Sequence, residues 1–341
     1  MNSATMDNEP ILKVDKLKTS FKTERGKVTA VDGVSFDLLK GEILGIVGES
    51  GCGKSATAQS ILRLYDEKQA IHEGEIWFEG KELLSLRPPE MDKVRGNDIS
   101  MIFQDPLSSL NPVFTIGNQI AEAILIHKSI SKREAYARVL ELLRLTGIPA
   151  PEKRINEYPH ELSGGMRQRV MIAMALACES KIMIADEPTT ALDVTIQAQI
   201  MSMIVELNQK LDMGVILITH DLGVVAEVCT RVVVMYLGQV VEEADVENLF
   251  TRPLHPYTQG LMKSIPQLDC DRSKPLLVIE GTVPSLHQIP EGCRFATRCP
   301  FADDLCRSKM PPLEQYAPGQ RARCWHAETI SKKGEAIRAW T

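Results

Sequence analysis

Gly48-Glu49-Ser50-Gly51-Cys52-Gly53-Lys54-Ser55 fits the pattern G-x-x-x-x-G-K-S, and its residue types answer the demands of phosphate chemistry. Glycines let backbone N–H groups close on an anion, and a following helix turns its positive N-terminus towards it. Lys54 is placed to hold β and γ phosphates and Ser55 to ligate Mg²⁺. The cradle takes in Gly48, Ser50, Gly51, Cys52, Gly53, Lys54, Ser55 and, on the first helical turn, Ala56. A second group, Ile182-Met183-Ile184-Ala185-Asp186-Glu187, sets two carboxylates at the C-terminal end of an apolar strand, where parallel α/β sheets bind ligands. Asp186 suits the Mg²⁺ shell. Glu187 suits a group that orients or deprotonates an attacking water, because phosphoryl transfer needs positioning and charge stabilisation more than covalent help. Between the two lies Leu162-Ser163-Gly164-Gly165-Met166. There Ser163, Gly164 and Gly165 open an apolar helix and offer a second bank of N–H groups to a phosphate.

Such residues need rigid elements behind them. Glu42 to Val47 reads as a short apolar strand and Ser55 to Leu64 as a helix, the order a phosphate loop requires. Upstream, Ile11 to Val14 and Ala30 to Phe36 alternate as strands of an antiparallel layer. Gln119 to His127 and Lys132 to Leu145 carry apolar residues at helical spacing, within an inserted helical subdomain at about 105–169. Lys181 to Ala185 and Val215 to Thr219 read as buried parallel strands separated by a helix from Ile196 to Leu211, and Arg231 to Val240 as a closing β-rich stretch. The fold class is therefore α/β: a P-loop nucleotide-hydrolase domain over 1–250, with a mixed sheet core, an antiparallel β layer and the helical subdomain. A small cysteine-containing C-terminal appendage follows over 251–341, where proline and cysteine become frequent.

Composition bounds the partners. A hydrophobic fraction of 44% in 341 residues suits a globular core. The longest uncharged apolar run, Val170 to Cys178, is far short of the roughly 20 residues that cross a bilayer. Met1 to Pro10 lacks the apolar core of a secretion signal. A formal net charge of −6, from 39 basic and 45 acidic side chains, argues against nucleic acid as the main partner. Eight cysteines without a signal peptide point to a reducing compartment, where clustered thiols bind metal more often than they pair.

Taken together, Gly48 to Ser55, Gln104, Leu162 to Met166, Asp186-Glu187, Asp193 and His220 resemble, in order and spacing, the nucleotide-binding domains of ABC ATPases, over roughly residues 11 to 250. The resemblance implies a head-to-tail dimer in which each ATP lies between the phosphate loop of one subunit and the Ser-Gly-Gly segment of the other. It implies that Gln104 senses Mg²⁺ and water, that Asp105 to Asn111 faces membrane subunits, and that His220 contacts the γ-phosphate. Asp193 would lie at the dimer seam, and Phe21 would stack on adenine. Met166 stands where Gln is usual; it cannot donate the hydrogen bonds of an amide, yet Ser163 and the glycines are intact.

That departure, together with Asp186-Glu187-Pro188-Thr189-Thr190-Ala191-Leu192-Asp193, resembles the first of two ATPase subunits in bacterial oligopeptide and dipeptide importers. His255-Pro256-Tyr257-Thr258 and Gly281-Thr282-Val283-Pro284-Ser285-Leu286 are similar to the C-terminal extension of those subunits. Within the extension Cys293, Cys299, Cys306 and Cys324 supply four thiols without a tight C-x₂₋₄-C pair. Their spacing and the Cys299-Pro300 step are compatible with a [4Fe–4S] cluster; structural zinc, with His326 replacing one thiol, and disulfides or free thiols are the other readings. The resemblance itself implies the cluster. Cys270 is the spare thiol, and Cys178 and Cys229 read as packing residues. Cys52, near a helix N-terminus, is expected to have a lowered thiol pKa, to inactivate the enzyme when alkylated, and to be protected by MgATP.

The function expected is that of an ATPase energising peptide import, peripheral on the cytoplasmic face of the inner membrane. The resemblance implies a paralogous second ATPase subunit, two permease subunits and an extracytoplasmic peptide-binding protein as partners, with no nucleic acid, and ATP with Mg²⁺ as cofactors. Nickel chelates or glycosides are alternative substrates. A soluble ABC ATPase of DNA repair or ribosome control is a further alternative, but the chain has neither a long coiled-coil insertion nor a second phosphate loop.

Overall fold

A computed structural model describes residues 9–24, 26–105, 109–190, 192–264 and 279–334, with side chains through Ile330. The chain forms two compact units interleaved along the sequence: Leu12–Asp37, Leu44–Gly80 and Thr219–Thr341 make one, and Met1–Ile11, Leu38–Ile43 and Lys81–Ile218 the other.

The unit that carries the glycine loop begins with an antiparallel layer. Strands Gly26–Leu38, Leu12–Thr23 and Ala70–Phe78 are neighbours in that order. Leu12 lies opposite Phe78 and Phe21 opposite Ala70, with a register slip between Asp15 and Lys18. Alternation along Leu12, Val14, Ile76 and Phe78 buries one face, as a period of two requires. Beside this layer Ile43–Val47 runs parallel to Arg231–Tyr236, Leu44 opposite Arg231 and Val47 opposite Val234. All five residues of Ile43–Val47 are buried, which is why the sequence there is continuously apolar rather than alternating. The β-rich stretch after Arg231 is two strands. Leu237 and Gly238, both at positive φ (44° and 77°), make a two-residue hairpin turn that returns the chain as Gln239–Asp245. The C-terminal residues continue this sheet: Gln320–Ala322 pairs antiparallel with Gln239–Asp245, and Glu314–Ala317 pairs with Gln320–Ala322.

The unit that carries the carboxylates is built on parallel strands Ile99–Ile102, Ile182–Asp186 and Gly214–Thr219, adjacent in that order. The crossover between the last two is the helix Val194–Leu211, as parallel pairing demands. It starts two residues before the Ile196 read from sequence, because Asp193 caps it by accepting from the Ile196 N–H. The helical subdomain contains Ile116–His127 and Lys132–Leu145. Thr115 caps the first, and Ser131 with Glu134 forms a capping box at the second. Ile116, Ile120 and Ile124 are buried at a spacing of four on one helix, and Val139, Leu142 and Leu143 on the next. Among the described residues no helix is long and apolar enough to cross a membrane.

Candidate active site

The loop after Ile43–Val47 can be traced only by glycine at two places. A Cβ on Gly48, at φ +151°, would stand 2.3 Å from the Met235 carbonyl oxygen; one on Gly53, at φ +104°, would stand 2.6 Å from that of Ala30. The neighbouring turn is tied to the same segment, since Gly238 N–H donates to Cys52 O at 2.8 Å and Asp32 N–H to Gly238 O at 2.8 Å. Helix Lys54–Ile61 follows, with Gly53 at its N-cap supplying no side-chain acceptor, so its first-turn donors suit an anion. The helix ends short of the predicted Leu64, with Arg63 at φ 48°. Lys54 is buried to 5% exposure, and its ammonium donates to Gly48 O at 2.7 Å and Glu49 O at 3.2 Å. Those carbonyls hold the charge where a phosphate would compete for it. Ser50 and Gly51 are the outer, more open part of the loop, and Ser55 and Ala56 open the helix.

Cys52 corrects one expectation. Its side chain is 1% exposed, and burial pushes the thiol up, against a smaller downward pull from the Lys54 ammonium. Desolvation of the thiolate outweighs the helix terminus here. Iodoacetamide is expected to label Cys52 in the folded, nucleotide-free chain at least about tenfold more slowly than an unhindered thiol, with no protection by MgATP. Mass spectrometry of the labelled peptides checks this; fast labelling at Cys52 contradicts the buried placement.

In the same unit Phe21 is half-buried, edge-on to Tyr65 with ring centroids 4.7 Å apart. His220 is exposed just beyond Gly214–Thr219. The following Asp221 caps helix Leu222–Val228 through Gly223 and Val224 N–H, which fixes the backbone carrying the imidazole.

In the other unit the acidic pair and Gln104 come together. Asp186 is 2% exposed at the end of its strand. Glu187 takes a left-handed backbone, φ 46°, held by its N–H bond to Ile218 O at 2.8 Å; an uncommon conformation for a non-glycine residue is a cost that functional sites concentrate. One carboxylate oxygen, Oε2, accepts from Gln104 Nε2 at 2.9 Å and from Thr190 Oγ1 at 2.9 Å. The signal for Thr190 in the sequence is its place three residues after the strand-end glutamate. Ser163 is exposed and caps the 12-residue helix Gly164–Ala175 by accepting from Met166 N–H at 3.3 Å. A Cβ on Gly165 would lie 2.8 Å from Ile196 Cγ2, so glycine there is a packing requirement as well. Beside the cap Asp193, Val194 is 82% exposed.

The tail residues fall in the unit of the glycine loop. Cys293 N–H donates to Cys306 O at 2.7 Å, and the thiols of Cys293, Cys299, Cys306 and Cys324 are each raised, first by burial and, for Cys299, Cys306 and Cys324, among later causes by the neighbouring thiols. Cys299 reaches about 11 and Cys324 about 12. Among the described residues Asp303, Cys306 and His326 bring their ligand atoms within 4.8 Å of one another, and the four cysteines do not gather into such a group. None of the seven cysteines among the described residues is joined in a disulfide. Cys178 and Cys229 are buried packing residues. Cys270 lies outside the described residues, as do residues 106–108 of the segment expected to face the membrane subunits.

Residues 31–190 match the family described as ABC transporter, and this is the class to which the sheets, the glycine loop and the serine-capped helix belong. Two solved dimeric structures of an ATP-binding cassette, one in a post-hydrolysis state with ADP and Pi bound, are similar at a TM-score of 0.62 and 30% identity, over 69% of this chain and 98% of theirs. Residues 241–306 match a second family, the C-terminal region of oligopeptide/dipeptide transporters. The oligopeptide transport ATP-binding protein AppD of Bacillus subtilis is 52% identical over 92% of this chain and 96% of its own. The dipeptide transport ATP-binding protein DppD of the same organism is 52% identical over 93% and 95%. A Sinorhizobium fredii protein named "Probable peptide ABC transporter ATP-binding protein y4tR" is 56% identical over 94% and 96%. The chain belongs to the family of peptide ABC transporter ATP-binding proteins.

Proposed function

We propose that this chain is the ATP-hydrolysing subunit of a bacterial importer of dipeptides or oligopeptides, the first of its two ATPase subunits. It would work on the cytoplasmic face of the membrane with a paralogous ATPase, two permease subunits and an extracytoplasmic peptide-binding protein. The observation that carries this reading is one chain matching both the transporter cassette and the peptide-transporter tail. By the family resemblance Phe21, Lys54, Ser55 and His220 in one unit, and Gln104, Asp186 and Glu187 in the other, take the roles of binding ATP and Mg²⁺ and of hydrolysis, while Ser163, Gly164 and Gly165 serve the nucleotide held by the partner. The exposed Ser163 and the exposed Val194 beside Asp193 support a partner at that surface. ATP then moves the assembly by favouring the closed dimer over the open one. Phe103, Val113, Phe114 and Ile126 are exposed at 40%, 70%, 51% and 70%, and a groove of about 430 Å³ is lined by Phe114, Leu125, Ile126 and Tyr136. Exposed apolar side chains at a groove are a common mark of an interaction site, and Phe114 and Ile126 lining this one support docking of the permeases there. The division near residue 250 is one of function, cassette before and extension after.

For Cys293, Cys299, Cys306 and Cys324 we infer a [4Fe–4S] cluster. Neighbouring thiols, buried at Cys306 and Cys324 and half-buried at Cys293 and Cys299, ionise readily only beside metal charge. A cubane spreads its thiolates over separate irons and so tolerates wider spacing than one ion does, whereas Asp303, Cys306 and His326 suit a single zinc. Bound, the cluster would staple a tail with little apolar core of its own. Purification from membranes tests both readings. Multispanning apolar partners and about four irons and four acid-labile sulfides per chain are expected. Co-purifying ribosomes or nucleic acid without apolar partners would sink the transport reading, and about one zinc without iron would sink the cluster.

A further inference from the structure

We propose that Arg298 and Tyr257, both in the C-terminal extension, are positioning residues for ATP, holding the phosphate loop by its second residue, Glu49. The Glu49 N–H donates to Tyr257 Oη at 2.7 Å. The Arg298 guanidinium grips the Glu49 carboxylate with both arms, Nη1 to Oε2 at 2.6 Å and Nη2 to Oε1 at 3.0 Å.

Both holders are themselves fixed. Arg298 has a side chain only 4% exposed; its Nε donates to Glu280 O at 3.0 Å and Nη2 to Ile279 O at 3.2 Å. Its guanidinium stands over the rings of Tyr236 and Phe295, about 6 Å from each centroid. Tyr257 is fully buried, with ring centroids 4.7 Å from Tyr236 and 5.4 Å from Phe295. A planar fork on a carboxylate fixes orientation as well as charge, which an ammonium or a water would not do.

The consequence concerns charge and geometry at the cradle. Gly48 and Glu49 present their carbonyls to the Lys54 ammonium, so the same two-residue segment is held by Lys54 and, at Glu49, by the tail. A carboxylate on a phosphate-binding loop repels the polyanion it must admit unless a cation neutralises it. Arg298 supplies that cation without touching the nucleotide, and Tyr257 fixes the peptide plane that leads into the loop. The extension thereby sets ATP affinity, a task distinct from any metal its thiols hold.

This inference rests on the ATPase reading, and the test separates the two. Equilibrium binding of MgATP to the full chain and steady-state turnover in the membrane assembly are measured for wild type, Arg298→Gln, Arg298→Lys, Tyr257→Phe and the double variant Arg298→Gln/Glu49→Gln. Arg298→Gln is expected to raise the ATP Kd and KM by roughly 10- to 100-fold, the range for leaving a partly buried charge unpaired, with kcat changed by less than about threefold. Arg298→Lys is expected to recover part of the loss and Tyr257→Phe to raise Kd by about three- to tenfold. The double variant should return Kd to within about threefold of wild type, because the unpaired carboxylate is gone; a merely structural role would not produce that recovery. Unchanged Kd in Arg298→Gln and Tyr257→Phe overturns the inference, as does a double variant no better than Arg298→Gln. Wild type that binds no ATP overturns the ATPase reading instead.

Discussion

Glu187→Gln is expected to lower ATP turnover in the assembled transporter by about 10²–10⁴-fold, the range for loss of a positioned base, while ATP binding persists. The geometry makes this a clean substitution. Both donors that orient the side chain, Gln104 Nε2 and Thr190 Oγ1, converge on one oxygen. A glutamine can present its single carbonyl oxygen to the same pair, so the loop keeps its shape and only the proton acceptor is lost. Single-turnover hydrolysis with a parallel binding measurement checks it. Turnover at the wild-type rate would remove Glu187 from the chemistry and leave it a structural acceptor for Gln104 and Thr190.

The second large effect is at the phosphate loop. Gly53→Ala is expected to weaken MgATP binding by about 100-fold or more, equivalent to about 2.7 kcal/mol, and to lower the melting temperature. The methyl group would meet the Ala30 carbonyl oxygen at 2.6 Å and the Gly238 Cα at 3.3 Å, at a φ of +104°. Those contacts are backbone and cannot rotate away, so the loop itself must move and carry its N–H groups off the anion. Gly51→Ala is the control: its φ is also positive, +77°, but nothing lies within 4 Å of the added carbon. Strain alone, about 1–3 kcal/mol, acts there, and binding should fall less than in Gly53→Ala. Calorimetric titration of both variants decides; equal loss at both would mean that backbone strain, not contact with Ala30 and Gly238, makes glycine necessary at position 53.

Much of the site was readable along the chain because its chemistry is local. A strand, a glycine loop and a helix are consecutive, and the apolar run of Ile43–Val47 announces burial on both faces before any neighbour is known. The same holds for Asp186 at a strand end and for Ser163 at the opening of a helix, since a cap and the N–H it satisfies lie three residues apart. Two helices begin earlier than apolar spacing alone predicts, at Ile116 and Val194, because Thr115 and Asp193 cap them. Strand Ala70–Phe78 was missed because much of it is exposed, His72 to Glu75 among its polar residues, and its place is set by pairing with Leu12–Thr23.

The sequence by itself determined the class of protein, the phosphate loop, the strand-end carboxylates and the Ser-Gly-Gly segment, because each is written in residues close enough to shape their own backbone. Only the tertiary structure decided what surrounds them. The Cys52 thiol, expected to ionise at a helix terminus, is driven the other way by burial, and burial is a property of neighbours. Arg298 meets Glu49 across 249 residues, and Tyr257 meets Glu49 across 208. Nothing in the spacing of those residues foretells the contact; it exists because the extension folds onto the unit that holds the loop, where a desolvated guanidinium and carboxylate each need the other.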